Sequence, residues 1–170
     1  MSKAIKVIAI LALIVTIAGA LVVLYGVNTL VPQAVQVSVA VTPAAQAQET
    51  FDAVMDQVAQ GTFSGRILSE TEGVTADEAS FLTYTVRLHN KGFFPAEWIS
   101  VACAPREDVS SDTRDLLQLD NYGANVLASG SQGDIAATVL TTIDPQQTVS
   151  LLEVTCYVLG EKKVFQVDVN

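Results

Sequence analysis

The sequence predicts a mainly β protein, an antiparallel sandwich with one amphipathic helix, preceded by a single transmembrane helix. Three observations carry that expectation. An uncharged apolar run fills residues 7–27, a two-residue alternation of apolar and polar side chains recurs in short segments after residue 32, and turn-forming clusters separate those segments. The chain has 170 residues. Past the apolar run, the remainder is long enough for one domain with a buried core.

The apolar run predicts a membrane anchor over residues 1–31. As a helix, 21 residues reach about 31 Å, the thickness of a bilayer's hydrocarbon. A signal peptide needs only a shorter apolar stretch and a small-x-small cleavage site. Ala18-Gly19-Ala20 supplies such a site, but cutting there would leave Leu21-Val22-Val23-Leu24-Tyr25 exposed at the new N-terminus. The reading is therefore a retained anchor, with cleavage after Ala20 as the alternative. Lys3 and Lys6 precede the run, which places the N-terminus in the cytoplasm and residues 32–170 outside the cell membrane. Ala12, Gly19 and Gly26 recur every seven residues and share a helix face, where small side chains would admit a second membrane helix. Alternatively, they are only the small residues common in membrane spans.

Beyond Val31, seven basic residues stand against all eighteen acidic ones, a net charge of −11. Such a surface makes nucleic acid and anionic headgroups poor partners. Val35, Val37, Val39 and Val41 alternate with smaller or polar residues, as in a half-buried strand. Thr42-Pro43 reads as a helix start, and Phe51, Val54, Met55 and Val58 at i, i+3, i+4, i+7 predict an amphipathic helix over about 44–60, stopped by Gly61. Its acidic polar face, with Glu49, Asp52 and Asp56, suits packing on its own domain better than lying on a membrane. Further strands are expected at 63–69, 81–90, 97–104, 135–143, 150–159 and 163–169, the last two joined by a hairpin at Gly160-Glu161-Lys162. The polar stretch 106–133 reads as a long connection with one short strand near 125–128. Leu82, Tyr84, Val86, Leu88, Ile99, Val101, Val154, Val158, Phe165 and Val167 form the expected core.

One segment, LTYTVRLHNKGFFPAEWISVACAP (82–105), resembles two strands of the bacterial immunoglobulin-like domains of the CARDB type. The likeness rests on an alternating strand, then Asn90-x-Gly92, then Pro95-Ala96 leading into the aliphatics Ile99 and Val101. The helix after the first strand departs from that pattern. The chain as a whole resembles single-span proteins of Gram-positive gut bacteria. These resemblances imply an immunoglobulin-like sandwich used for display or binding outside the cell, and they name no ligand.

In an immunoglobulin-like order, the strands of Cys103 and Cys156 are neighbours, and both cysteines continue their strands' inward phase. Outside the cell they could form a disulfide, which on the chain-entropy model would stabilise by about 4 kcal/mol. Otherwise they are two buried thiols acting as small apolar residues. Phe93 and Phe94 could anchor a partner, or cap the end of the core. His89 is the only histidine and its phase points it to solvent, with no nucleophile or orienting acid in sight. Asp108, Asp112 and Asp115 could hold calcium through carboxylate oxygens, but their spacing does not match the EF-hand loop and a charged loop is usually just solvated. No metal, cofactor or enzymatic activity is therefore expected. Two readings stand: a membrane-anchored extracytoplasmic binding or adhesion-type domain with a protein or cell-envelope partner, or an accessory subunit of a larger membrane assembly recruited through its transmembrane helix.

Overall fold

The computed structural model describes residues 3–104, 115–142 and 151–169. Helix α1 (Lys3–Thr29) is long and apolar enough to cross a bilayer, with a mean hydropathy of 3.1 over its most apolar window. Pro32 ends it and β1 follows (Gln33–Pro43), then α2 (Gln48–Ala59) and the short β2 (Arg66–Ile67). The remaining strands are β3 (Ser80–His89), β4 (Ala96–Ala104), β5 (Asp115–Gln118), β6 (Tyr122–Gly123), β7 (Gln132–Thr141), β8 (Leu151–Val158) and β9 (Glu161–Asp168).

Among the described residues these strands form two antiparallel sheets. The larger runs in the order β1-β3-β7-β5-β2 with β6 on β7, and the smaller in the order β4-β8-β9. Strand β3 lies within the larger sheet because its alternation suits a strand with one face dry. Leu82, Tyr84, Val86 and Leu88 are buried, and Arg87 on the other face pairs with Asp134 across the register at 2.7 and 2.8 Å. The dry face meets Val101 and Cys103 of β4 and Leu152, Val154, Cys156 and Val158 of β8 in one shared core. The predicted core residues are all there, Phe165 partly buried at its margin.

A second cluster covers the outer face of the larger sheet at the end remote from α1. Phe51 and Val54 of α2 pack there with Phe81, Leu116, Leu117 and Leu140. The 3.6-residue pattern of α2 thus serves its own domain. Its start differs from expectation: β1 runs through Pro43, a turn follows in which Ala47 N–H reaches the Ala44 and Pro43 carbonyls, and the helix begins at Gln48 without a side-chain cap. An edge strand tolerates proline because one row of its N–H groups has no ladder partner.

Other differences concern short elements. The strand expected at 63–69 shrinks to Arg66–Ile67, and 125–128 contributes only a bridge, Leu127 to Ala96. Within the expected long connection, β5 and β6 pair with β7. The hairpin turns at Leu159-Gly160, so Glu161 and Lys162 already belong to β9.

The two sides of the domain are finished differently. On one side, side-chain amides act as a substitute strand on the free edge of β4. Gln118 donates to the Val101 carbonyl at 2.8 Å and accepts from Cys103 N–H, while Asn121 accepts from Val101 N–H and donates to its carbonyl, both at 2.9 Å. On the other side, Val39 and Val41 of β1 have the inward phase but remain largely exposed, because the smaller sheet is too narrow to cover them.

Candidate functional site

The end of the domain where α1 enters collects the most unusual local structure. The β3–β4 loop there is held by Asn90, which is 1% exposed. Its Oδ1 accepts from Gly92 N–H at 3.0 Å, and its Nδ2 donates to the Phe94 and Leu127 carbonyls at 2.9 and 3.0 Å. Ser129 Oγ adds a bond to the Gly92 carbonyl at 2.6 Å. Both N–H donors and one acceptor site of Asn90 are used, two bonds within the loop and one to Leu127, so the loop backbone is held. The Asn-x-Gly signature has a local reason here: Asn90 folds the turn, and Gly92 lies so close to the Leu30 carbonyl that no Cβ would fit.

This fixed loop grips the last turn of α1. A Cβ on Gly26 would meet the Phe93 ring at 3.3 Å and the Phe94 ring at 3.4 Å. Val27 is 7% exposed and belongs to the shared core of the two sheets. Lys163, an inward-phase residue of edge strand β9, donates from Nζ to Asn28 Oδ1 at 2.9 Å. The domain boundary drawn at residue 31 is therefore crossed by packing, and the end of α1 completes the domain.

Among the described residues, several large apolar side chains are exposed at this same end. Phe93 is 62% exposed, Trp98 73% and Leu159 55%. Two of them occupy left-handed backbone, Trp98 at φ 51° and Leu159 at φ 51°. Trp98 is the extra residue of a bulge: Glu97 pairs with Tyr157 and Ser100 with Thr155, leaving one residue too many on β4. Leu159 and Gly160 form a two-residue hairpin turn with positive φ at both positions, where Asn-Gly is the cheap choice. Left-handed backbone costs roughly 1–2 kcal/mol per L-residue. Here that cost supports side chains that are then left in the open. Glu97, Trp98, Tyr157 and Gly160 border an open cleft of about 440 Å³ between the bulge and the hairpin.

The residues singled out in the sequence separate accordingly. Phe93 and Phe94 divide the two roles considered for them: Phe94 packs on the core, and Phe93 lies over Gly26 with most of its surface free. Gly26 is occupied within the chain, whereas a Cβ on Gly19 would meet nothing within 4 Å, and Ala12 is exposed. Cys103 and Cys156 are both buried, on neighbouring strands and with inward phase, but they are free. Cys103 lies opposite Leu152, four residues along β8 from Cys156. At about 3.3 Å per residue that offset is about 13 Å, twice the reach of a disulfide. Burial pushes the Cys103 thiol up to about 12, with Asp115 adding to the effect, and also pushes the Cys156 thiol up. Such thiols are poor nucleophiles. His89 is half-buried at the strand end with the outward phase. Asp108 and Asp112 lie outside the described residues. Asp115 accepts a hydrogen bond from Thr141, and burial raises its carboxyl above the ordinary range.

Trp98, Tyr157 and Leu159 escaped the sequence reading as a site. A bulky aliphatic before Gly160 in a two-residue turn was the signal available for Leu159. No comparable signal marks the bulge at Trp98, because register becomes visible only once β8 is in place. No protein-family model matches the chain, and no curated protein matches it in sequence.

Proposed function

We propose that this chain is a membrane-anchored, extracytoplasmic binding or adhesion-type domain of immunoglobulin-like architecture, acting by presentation rather than catalysis. Strand order supports the architecture. With β1, β3, β7 and β5 as A, B, E and D, and β4, β8 and β9 as C, F and G, the two sheets follow the ABED and CFG order of constant-type immunoglobulin domains. Helix α2 is then an insertion between A and B. The likeness of residues 82–105 to CARDB-type domains agrees with this order, since those residues would be strands B and C.

One observation carries the functional reading: the joint between α1 and the domain. Val27 in the core, the Asn28–Lys163 hydrogen bond and the Gly26–Phe93 contact tie the last turn of the apolar helix to the two sheets. A domain so joined presents a fixed pole, remote from α1, instead of swinging on a tether. That pole carries Glu49, Asp52 and Asp56 on α2, and no Lys or Arg occurs between Lys6 and Arg66. Lys3 and Lys6 ahead of the span favour a cytoplasmic N-terminus.

Protease added to intact spheroplasts tests the placement: digestion of the domain is expected, and full protection would sink it. Purification in mild detergent tests the role. A lone protein retaining affinity for cell-envelope material is the expected result. A stoichiometric membrane partner would instead support the accessory-subunit reading, favoured by the uncovered Ala12 and Gly19 surface of α1.

A further inference from the structure

The geometry points to a second attachment of the domain: its α1-side rim, bearing Phe93, Trp98 and Leu159, sits in the headgroup region of the same bilayer that α1 crosses. This inference rests on the membrane-anchor reading and deepens it. The rim residues are level with the helix end by construction. Phe93 lies against Gly26, the second-last residue of the uncharged 7–27 run, where the apolar span gives way to the interface. Leu159 forms the tip of the β8–β9 hairpin at the end of the smaller sheet where Ala96 pairs with Val158, and Trp98 follows two residues into β4.

The chemistry of the rim suits this layer. Membrane interfaces favour aromatic rings and lysine side chains, which combine an apolar body or stem with a polar end. Lys91, Lys162 and Lys163 are three of the seven basic residues beyond the span, and all three lie at this end, against Glu97 and Glu161. The acid excess lies elsewhere: Glu49, Asp52 and Asp56 on α2, and Glu70, Glu72 and Asp77 between β2 and β3, beside the far-end cluster. Net charge thus misleads about this surface, because the acidic pole is turned away from the headgroups.

The strained positions supply an independent argument. Asn or Gly at 98 and 159 would relieve the left-handed backbone. Side chains as large as Trp and Leu stand there instead, with most of their surface open. Strained backbone that displays apolar side chains next to a membrane helix fits contact with lipid. Asn90 and Ser129 fix the loop that carries Phe93, so the contact is pre-organised.

Trp98 is the only tryptophan, so the full-length protein reports on itself. It would be reconstituted in vesicles of phosphatidylcholine and phosphatidylglycerol whose acyl chains carry bromine near the headgroup. Interfacially seated groups lie about 5–10 Å deep, so Trp98 should lose most of its emission to bromine and little to aqueous iodide. A Trp98→Phe chain with Leu159→Trp should behave alike, and one with Gln57→Trp on the exposed face of α2 should show the reverse. Resistance to alkaline carbonate extraction checks the anchor separately. A chain retained in the vesicles whose Trp98 is quenched by iodide and not by bromolipid would overturn the seat while leaving the anchor standing, and would make the rim a protein-facing surface. A chain extracted by carbonate would overturn both.

Discussion

The two ends of the domain share the same strands and differ in almost everything else. The α1-side end is ordered by polar pins, Asn90 and Ser129, and exposes aromatic and aliphatic side chains beside lysines. The far end is ordered by apolar packing of α2, through Phe51 and Val54, and exposes carboxylates. The β3–β4 and β8–β9 loops lie at the end turned to the helix. The opposite end carries α2. The difference teaches that one set of strands can have its two ends ordered by different means, polar pins at one and apolar packing at the other.

The largest expected effect tests the core on which both ends depend. Leu88→Ala removes a side chain that is 1% exposed, so chemical denaturation in detergent should show a loss of about 2–5 kcal/mol. A loss comparable to a surface substitution would mean that the sheets are not packed as described.

Asn90→Ala comes next and acts on the α1-side end alone. It leaves Gly92 N–H and the Phe94 carbonyl without their partner, at about 1–3 kcal/mol for each group that water cannot reach, while the Leu127 carbonyl keeps the Ala96 N–H. Hydrogen exchange should rise in 90–96 and in the last turn of α1 while α2 stays protected. A uniform rise would merge the two ends into one cooperative unit.

At the joint itself, two glycines of one helix face should part company. Gly26→Leu must displace the Phe93 and Phe94 rings and is expected to cost about 1–3 kcal/mol, as overpacking does. Gly19→Leu meets nothing and should stay within about 0.5 kcal/mol. Equal effects would mean that the α1–domain contact does not hold in the membrane.

The smallest effect concerns Asp115, near the far end. Its carboxyl is raised by burial, partly offset by the hydrogen bond from Thr141. Above the ordinary aspartate pKa of about 3.9, the unfolded chain has lost a proton that the fold still holds. The contribution of Asp115 to stability should therefore be fully present below that pH and be lost as pH rises through the raised value. Asp115→Asn should flatten this part of the pH–stability curve. An unchanged curve would assign the dependence to other carboxylates.

Much of the fold was legible in sequence because long, regular periodicity survives any tertiary arrangement. Strands such as β3 and β8 alternate over eight or more residues, and α2 repeats Phe51, Val54, Met55 and Val58. β5 was illegible because it carries a bulge at Leu116 against β7, and Leu116, Leu117 and Gln118 are buried in succession, which erases alternation. β2 and β6, two residues each, exist only because a neighbour pairs with them.

By itself, the sequence determined the apolar helix, the alternating strands, the amphipathic α2 and the membership of the core. These follow from which side chains avoid water, a property each residue carries locally. Register and proximity belonged to the tertiary structure alone. It set Cys103 opposite Leu152 instead of Cys156, bulged β4 to turn Trp98 outward, and brought Lys163 to Asn28 across more than a hundred residues of chain. A shift of one residue in pairing changes no residue's hydrophobicity, yet it decides which side chains meet. That information exists only once the strands are side by side.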